Sequence, residues 1–242
     1  MKKLTILTIA VMALLTVGYS CTFSSGKSGG PETKVTRDVK DFSRISLSVP
    51  AEVYIEQGAA FSFSMEGPEN TLSEIETAVD GSTLKIQWKN RGFHWNGNES
   101  IKIYITAPDY QALAVAGSGD FYAKSPLKCS NLELSIAGSG SVTIDQLEAN
   151  SLTSDIAGSG DVEIKAGKVG DQAASISGSG SIKTAGVETA NGKVSIAGSG
   201  DCNIWVTGDL KASIAGSGDV RYKGNPKLNI KVAGSGDIEQ IK

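Results

Sequence analysis

In the C-terminal half of the chain, apolar and polar residues alternate on both sides of a recurring Gly-Ser-Gly triplet. One unit shows the whole pattern: Leu132, Leu134 and Ile136 precede the triplet, and Val142 and Ile144 follow it. A period of two is typical of β-strands with one buried face. The β-branched residues and the paired glycines disfavour helix. The alternation therefore predicts repeated strand–turn–strand units.

The triplet recurs seven times, which indicates a repeat architecture. The first glycines of the triplets are Gly117, Gly138, Gly158, Gly178, Gly198, Gly216 and Gly234. Identical turns favour a β-helix over a meander, because in a β-helix each turn stacks on the same turn below, at about 4.8 Å. Glycine suits a corner that needs positive φ or close backbone approach. We expect the triplet serines to form a ladder of hydroxyls along the stack.

The N-terminal half shows a looser β alternation. Its alternating segments lie within residues 42–49, 53–55, 61–65, 84–88 and 101–105. Residues 68–79 instead space their apolar side chains by three and four, with Pro68 at the start and acids early in the run. This pattern predicts one short helix. The whole chain is therefore predicted to be all-β with a single N-terminal helix.

Residues 1–20 have the features of a secretory signal: two lysines, a short apolar run and small residues at the end. Cleavage after Ser20 would make Cys21 the first mature residue, as in bacterial lipoproteins, where this cysteine is acylated. Gly18 departs from the aliphatic residue usual three places before that cysteine. Ordinary cleavage to a freely secreted chain therefore stays open. We expect an exported lipoprotein attached to the outer membrane, on its periplasmic or its surface side.

The remaining chain divides by composition. Residues 21–34 are rich in glycine and serine and predict a flexible tether. Residues 35–242 form the predicted β-helical domain, with irregular coils over 35–110 and regular repeats over 111–242. This division places the irregular coils of the domain next to the tether.

Charge and cysteine usage exclude several classes of function. The formal net charge is −3, and removal of the signal takes away two lysines and no acid, which leaves −5. An acidic chain without a basic patch is not expected to bind nucleic acid. His94 is the only histidine and no Cys-x-x-Cys motif occurs, so no transition metal or other cofactor is expected. Cys129 and Cys202 lie several repeats apart and are expected to be free thiols.

Two candidate sites remain. The segment 89–100 gathers Phe93, His94 and Trp95 among glycines and asparagines, which suits contact with a sugar or a protein. The alternative is a hairpin loop whose aromatic side chains fold back onto the sheet. Calcium is the second candidate, because aspartate follows each of the last three triplets. The alternative there is that each carboxylate accepts a turn amide. The aspartates are Asp201, Asp219 and Asp237.

Several ordered motifs carry a resemblance to a known family. They are Val53-Tyr-Ile55-Glu-Gln-Gly58, Asn70-Thr-Leu72, Gly81-Ser-Thr-Leu84-Lys-Ile86 and Ala-Gly-Ser-Gly-Asp. The set resembles the putative auto-transporter adhesin head GIN domain family, of unknown function and common in exported bacterial lipoproteins. The resemblance covers about residues 35–238. It implies a right-handed single-stranded parallel β-helix with stacked Gly-Ser-Gly turns, and it brings no catalytic residues.

Three functions stay open. The first is a non-enzymatic cell-envelope lipoprotein, acting as an adhesin or structural module with a protein or glycan ligand and held to the membrane through Cys21. The second is a periplasmic sensor or assembly scaffold. The third is a polysaccharide-binding or polysaccharide-cleaving β-helix protein, but cleavage needs paired carboxylates and the aligned acids here belong to turns. No catalytic residue is predicted, and the sequence does not indicate the oligomeric state.

Overall fold

The computed structural model describes residues 29–90, 92, 93, 95 and 99–242, and it shows a β-solenoid of about six turns with one short helix. The predicted fold class is confirmed. The elements are β1 Glu32–Thr36, β2 Arg44–Leu47, β3 Glu52–Gln57, β4 Ser62–Pro68, α1 Glu69–Ser73, β5 Ile75–Asp80, β6 Thr83–Trp88, β7 Lys102–Ala107, β8 Ala112–Gly117, β9 Asp120–Ala123, β10 Leu127–Gly138, β11 Ser141–Gly158, β12 Asp161–Gly178, β13 Ser181–Gly198, β14 Asp201–Gly216, β15 Val220–Lys223, β16 Lys227–Gly234 and β17 Ile238–Gln240.

Each regular coil has three faces, because the pairing between coils is interrupted at its corners. In β11 the first face is Ser141–Ile144, the second is Gln146–Ala149 and the third is Ser151–Gly158. The third face ends at the Gly-Ser-Gly corner. Consecutive coils pair in parallel, with equivalent residues opposite one another. Equivalent side chains therefore stack in columns along the solenoid.

Backbone hydrogen bonds connect the Gly-Ser-Gly corners. The amide of Ser159 donates to the carbonyl of Gly138 at 2.9 Å, and the amide of Ser179 donates to that of Gly158 at 2.9 Å. The triplet serines all lie in the described part of the chain, and there the bonds between triplets join amides to carbonyls and not hydroxyl to hydroxyl. The predicted hydroxyl ladder is therefore replaced by a ladder of amides and carbonyls.

Aliphatic side chains fill the interior in columns. The column before the triplets consists of Val115, Ile136, Ile156, Ile176, Ile196, Ile214 and Val232. Cys202 lies in the column after the triplets, fully buried, and burial raises the pKa of its thiol to about 12. Burial likewise raises the pKa of the half-buried Cys129 to about 11. Both thiols are free, as the sequence predicts, and neither is a thiolate at neutral pH.

The N-terminal coils differ from the prediction in two ways. The helix α1 ends at Ser73, so the predicted helix over 68–79 is wrong in its second half. Residues 75–80 form β5, because antiparallel pairing with β6 buries Ile75 against the core. Antiparallel pairs also join β1 to β4 and β4 to β7, so this end is not purely parallel. The strand β1 begins at Glu32, within the segment predicted as tether.

Candidate ligand-contact surface

Three tyrosines stack on the outer side of the first face, near the N-terminal end. They are Tyr104 on β7, Tyr54 on β3 and Tyr122 on β9, and the parallel register places them directly opposite one another. The ring centroids of Tyr54 and Tyr104 lie 5.4 Å apart, as do those of Tyr54 and Tyr122. We call these three residues the tyrosine ladder. Beyond it the column continues with Thr143 and Glu163.

Charged groups of both signs surround the tyrosine ladder. The ammonium of Lys124 lies 5.3 Å from the ring centroid of Tyr54, and that of Lys34 lies 5.7 Å from the ring centroid of Tyr104. These are cation–π distances. The Tyr54 hydroxyl donates to Glu52 at 2.8 Å, and this bond together with burial raises the pKa of Tyr54 to about 12. Tyr54 is therefore a neutral hydrogen-bonding group throughout the physiological pH range.

The tyrosine ladder borders a shallow cavity of about 360 Å³. All three rings and Lys124 line it, and Tyr104 is 36% exposed. The sequence alone does not indicate this surface. The only local signal is that each tyrosine takes an outward position within its alternating strand. The strands involved are not consecutive in the chain, so their juxtaposition depends on the tertiary register.

The predicted aromatic loop adjoins the same surface. Phe93 packs against Trp88, with ring centroids 4.7 Å apart. Trp95 lines a cleft together with Glu52, Glu99 and Asp120. Glu52 therefore belongs both to this cleft and to the tyrosine ladder. His94 lies outside the described residues. The arrangement brings Trp95, but not Phe93, next to the ladder, and contact of this loop with a ligand stays a prediction.

The predicted calcium aspartates accept backbone amides: Asp201 and Asp219 from the next coil, and Asp237 from Ile238 at 2.7 Å. The amide of Asp219 donates to Asp201 Oδ1 at 3.1 Å, and the amide of Asp237 donates to Asp219 Oδ1 at 3.0 Å. Arg221 also pairs with Asp219, at 3.1 Å. Within the described ranges, no three His, Cys, Asp or Glu side chains are grouped so that they could hold a metal ion. Turn capping therefore accounts for these carboxylates, and calcium binding stays a prediction.

The predicted lipidation site, Cys21, falls outside the described residues, as does the whole predicted signal. Across the part of the chain that is described, no helix has the length and apolar character needed to cross a bilayer.

Comparison with known proteins gives matches over most of the chain. A sequence model of the putative auto-transporter adhesin, head GIN domain family matches residues 41–226. A putative adhesin from Bacteroides fragilis has a TM-score of 0.81 at 26% identity, covering 87% of this chain and 97% of that chain. A putative lipid binding protein from Parabacteroides distasonis has a TM-score of 0.72 at 27% identity, covering 90% and 98%.

A putative adhesin from Parabacteroides merdae has a TM-score of 0.69 at 24% identity, covering 90% of this chain and 98% of that chain. At that identity the likeness concerns the fold alone. No curated protein matches the chain. The structural matches span nearly the full length of each neighbour, so this chain has their entire fold.

Proposed function

Because the chain belongs to the putative auto-transporter adhesin, head GIN domain family, we propose that it is an exported, non-enzymatic binding module that contacts a glycan through its tyrosine ladder. The ladder with its flanking charges is the observation that carries this proposal. The family is described by adhesion and not by a reaction. An adhesive role needs a surface that is rigid and presented outward, which stacked strands provide.

The chemistry of the tyrosine ladder matches that of a sugar. A pyranose ring has faces of apolar C–H groups and a rim of hydroxyls. Tyrosine rings supply apolar contact area at low entropic cost, and their hydroxyls hydrogen-bond at the rim. Lys34 and Lys124 add donors beside the rings, and Glu52 adds an acceptor. Apolar and polar groups thus alternate over a few ångströms, as they do on a saccharide.

We expect Tyr104→Ala to weaken glycan binding at least about tenfold, equivalent to 1.4 kcal/mol. Tyr104 is the most exposed ring, and its removal takes away both ring contact and hydroxyl. Tyr104→Phe keeps the ring and should lose only a few-fold. Binding is first screened on an array of bacterial and host glycans and then measured by calorimetry. Lys183→Ala, on the same face further along the solenoid, serves as the control. A wild-type chain that binds no glycan, or an unaffected Tyr104→Ala, would refute the proposal.

Lipid is the competing ligand, because the similar Parabacteroides distasonis protein is described as a putative lipid binding protein. The described interior is filled by packed aliphatic columns, so a lipid would have to bind on the outside. A parallel measurement uses vesicles of phosphatidylethanolamine and phosphatidylglycerol. Vesicle binding that survives Tyr104→Ala, with no glycan binding, would favour the lipid.

Membrane attachment through an acylated Cys21 is part of the proposal. The support is the sequence alone: a signal-like segment that ends in small residues before this cysteine. Cys21→Ser should move the chain from the membrane fraction to the soluble exported fraction and abolish labelling by a palmitate analogue. Protease treatment of intact cells would then distinguish a surface from a periplasmic location. Unchanged membrane retention in Cys21→Ser would contradict the anchor.

A further inference from the structure

The two ends of the solenoid differ in how their last strands are covered. At the N-terminal end, β1, β4 and β5 add antiparallel strands, and the α1 residue Leu72 is buried against them. The guanidinium of Arg37 donates to the carbonyl of Ile75 at 2.7 Å and to Thr77 Oγ1 at 2.9 Å. These bonds occupy the part of the outer edge of β5 that lies at Ile75 and Thr77. This end is capped.

The C-terminal end is open. All eight residues of β16 are exposed. Leu228, Ile230 and Val232 are 42%, 40% and 42% exposed, although they continue core columns. Their equivalents in the preceding coil, which lie opposite them in the parallel register, are each 1% exposed. Those equivalents are Leu210, Ala212 and Ile214. Within the described part of the chain, no further strand covers this apolar layer.

The backbone of β16 is also unpaired on its outer side among the described residues, since its pairing there is with β14 alone. In the equivalent strand β10, the amide of Glu133 points back to the preceding coil and donates to Gln111. Asn229 is the equivalent of Glu133 five coils on. Because backbone groups alternate in direction along a strand, those of Leu228, Ile230 and Val232 point outward. An edge of this kind is a template for a further strand.

We propose that β16 is a self-association interface, covered by β16 of a second copy in antiparallel pairing about a two-fold axis at Ile230. In this register Ile230 faces the partner subunit's Ile230, and Leu228 faces the partner subunit's Val232. Asn229 faces the partner subunit's Lys231. Each Lys227 faces the partner subunit's Ala233. No like charges are directly opposite, and the outward backbone groups of the two strands meet as hydrogen-bonded pairs.

The shape of the open end also fits a two-fold. The first face extends one strand beyond β15, as β17. The second face has no strand after β14 in the described chain, because Gly224–Pro226 cross it without pairing. A two-fold axis normal to the third face exchanges the first and second faces. It therefore places the extra strand of each copy over the shorter face of the other.

Head-to-tail stacking fits less well. It would pair β16 with β5 of the next copy, where Arg37 already holds the carbonyl of Ile75. At the N-terminal end, the first face ends in β1 and the third face ends in β5, and β1 extends one strand further along the solenoid. In a head-to-tail stack, β1 would therefore occupy the space that β17 of the next copy needs. The closed two-fold is therefore favoured over an open filament.

The proposed dimer is tested by measuring the mass of the mature chain in solution, with Cys21→Ser to prevent lipidation. Light scattering and sedimentation velocity give this mass over a concentration series. Wild type should be a dimer. Ile230→Lys places two charges face to face at the axis and should raise the dimer dissociation constant at least about tenfold. Its melting temperature and circular dichroism are checked in parallel, and a folded monomer is the expected result. A wild-type monomer at all concentrations, or higher oligomers that grow with concentration, would overturn the proposal.

Position 229 tests the register without touching the core. Asn229→Glu places a carboxylate opposite Lys231 of the partner subunit twice per dimer and should tighten association several-fold. Asn229→Lys places like charges there and should weaken it by a similar factor. A covering strand in another register would not give this opposite pair of effects. Equal responses to the two substitutions would therefore overturn the pairing, independently of whether the tyrosine ladder binds a glycan.

Discussion

Replacing Gly178 with alanine should lower the free energy of unfolding by about 3 kcal/mol or more. This residue has φ of +133°, and a Cβ atom there would lie 2.2 Å from the carbonyl oxygen of Gly158 in the coil below. That oxygen accepts the amide of Ser179, so it cannot simply turn away. Backbone strain and steric overlap therefore add at one corner, and relief requires two paired coils to separate.

The chain contains two matched controls for this substitution. Gly117 is the equivalent glycine of the first triplet, with φ of +115° and no atom within 4 Å of an added Cβ. Gly117→Ala should cost only the backbone strain, about 1–3 kcal/mol. Ser179→Ala alters the same triplet without loss of a hydrogen bond and should stay within about 0.5 kcal/mol. Urea denaturation gives all three values. Equal losses at Gly178 and Gly117 would contradict the stacking explanation.

The repeat was predictable because its signals are local. Alternation fixes the buried positions of each strand, and the constant spacing of the triplets implies stacked corners. The second half of the predicted helix failed for the opposite reason. Residues 75–79 have helical spacing at Ile75 and Val79, yet pairing with β6 decides their conformation. Local pattern and tertiary pairing disagreed there, and pairing prevailed.

The tyrosine ladder illustrates information that the sequence holds only in part. Tyr54, Tyr104 and Tyr122 belong to strands that stack in the order β7, β3, β9, which is not their order in the chain. Alternation places each ring outside but does not say which rings meet. Composition did indicate the loop around Trp95 as a candidate contact. Glu52 lines the cleft beside Trp95 and also accepts the Tyr54 hydroxyl, so it connects that loop to the ladder. The predicted region was therefore adjacent to the surface we propose.

A polar cluster inside the core could not be recognised before the columns were known. Gln172, Thr184 and Thr189 are each at most 2% exposed. The Gln172 amide donates to Thr184 Oγ1 at 2.8 Å, and the Thr189 hydroxyl donates to Gln172 Oε1 at 3.2 Å. The Thr184 hydroxyl in turn donates to the carbonyl of Asn203 at 3.0 Å. Each member thus satisfies another, which is the condition for polar groups to be tolerated in a core.

The cluster lies where the coil changes length. The spacing between triplets falls from 20 to 18 residues after Gly198. The pairing of β13 with β14 shifts between Thr184 and Glu188 and again between Thr189 and Asn191, and the two shifts together absorb the difference. The bond from Thr184 to Asn203 joins the two coils immediately before that shift. We therefore expect the cluster to hold the narrower coil in register on the wider one.

We expect Thr184→Val to lower the free energy of unfolding by about 1–3 kcal/mol. The substitution keeps the side-chain volume but leaves the Gln172 amide without its acceptor and the Asn203 carbonyl without its donor. A matched control variant can be designed from the neighbouring coils, where an apolar residue stands at each equivalent position. Leu152 is the equivalent of Gln172, Ile204 of Thr184, and Val169 of Thr189.

The triple variant Gln172→Leu, Thr184→Ile, Thr189→Val therefore gives each column its own apolar residue. It should lose less stability than Thr184→Val and return to within about 1 kcal/mol of wild type, because the Gln172 amide is removed together with its partners and only the Asn203 carbonyl loses a donor. Urea midpoints compare the two variants, and near-additive losses in the triple would contradict this account. If the triple variant recovers stability but broadens the unfolding transition, the cluster acts on register and not on energy, since apolar columns alone do not specify where the coil shortens.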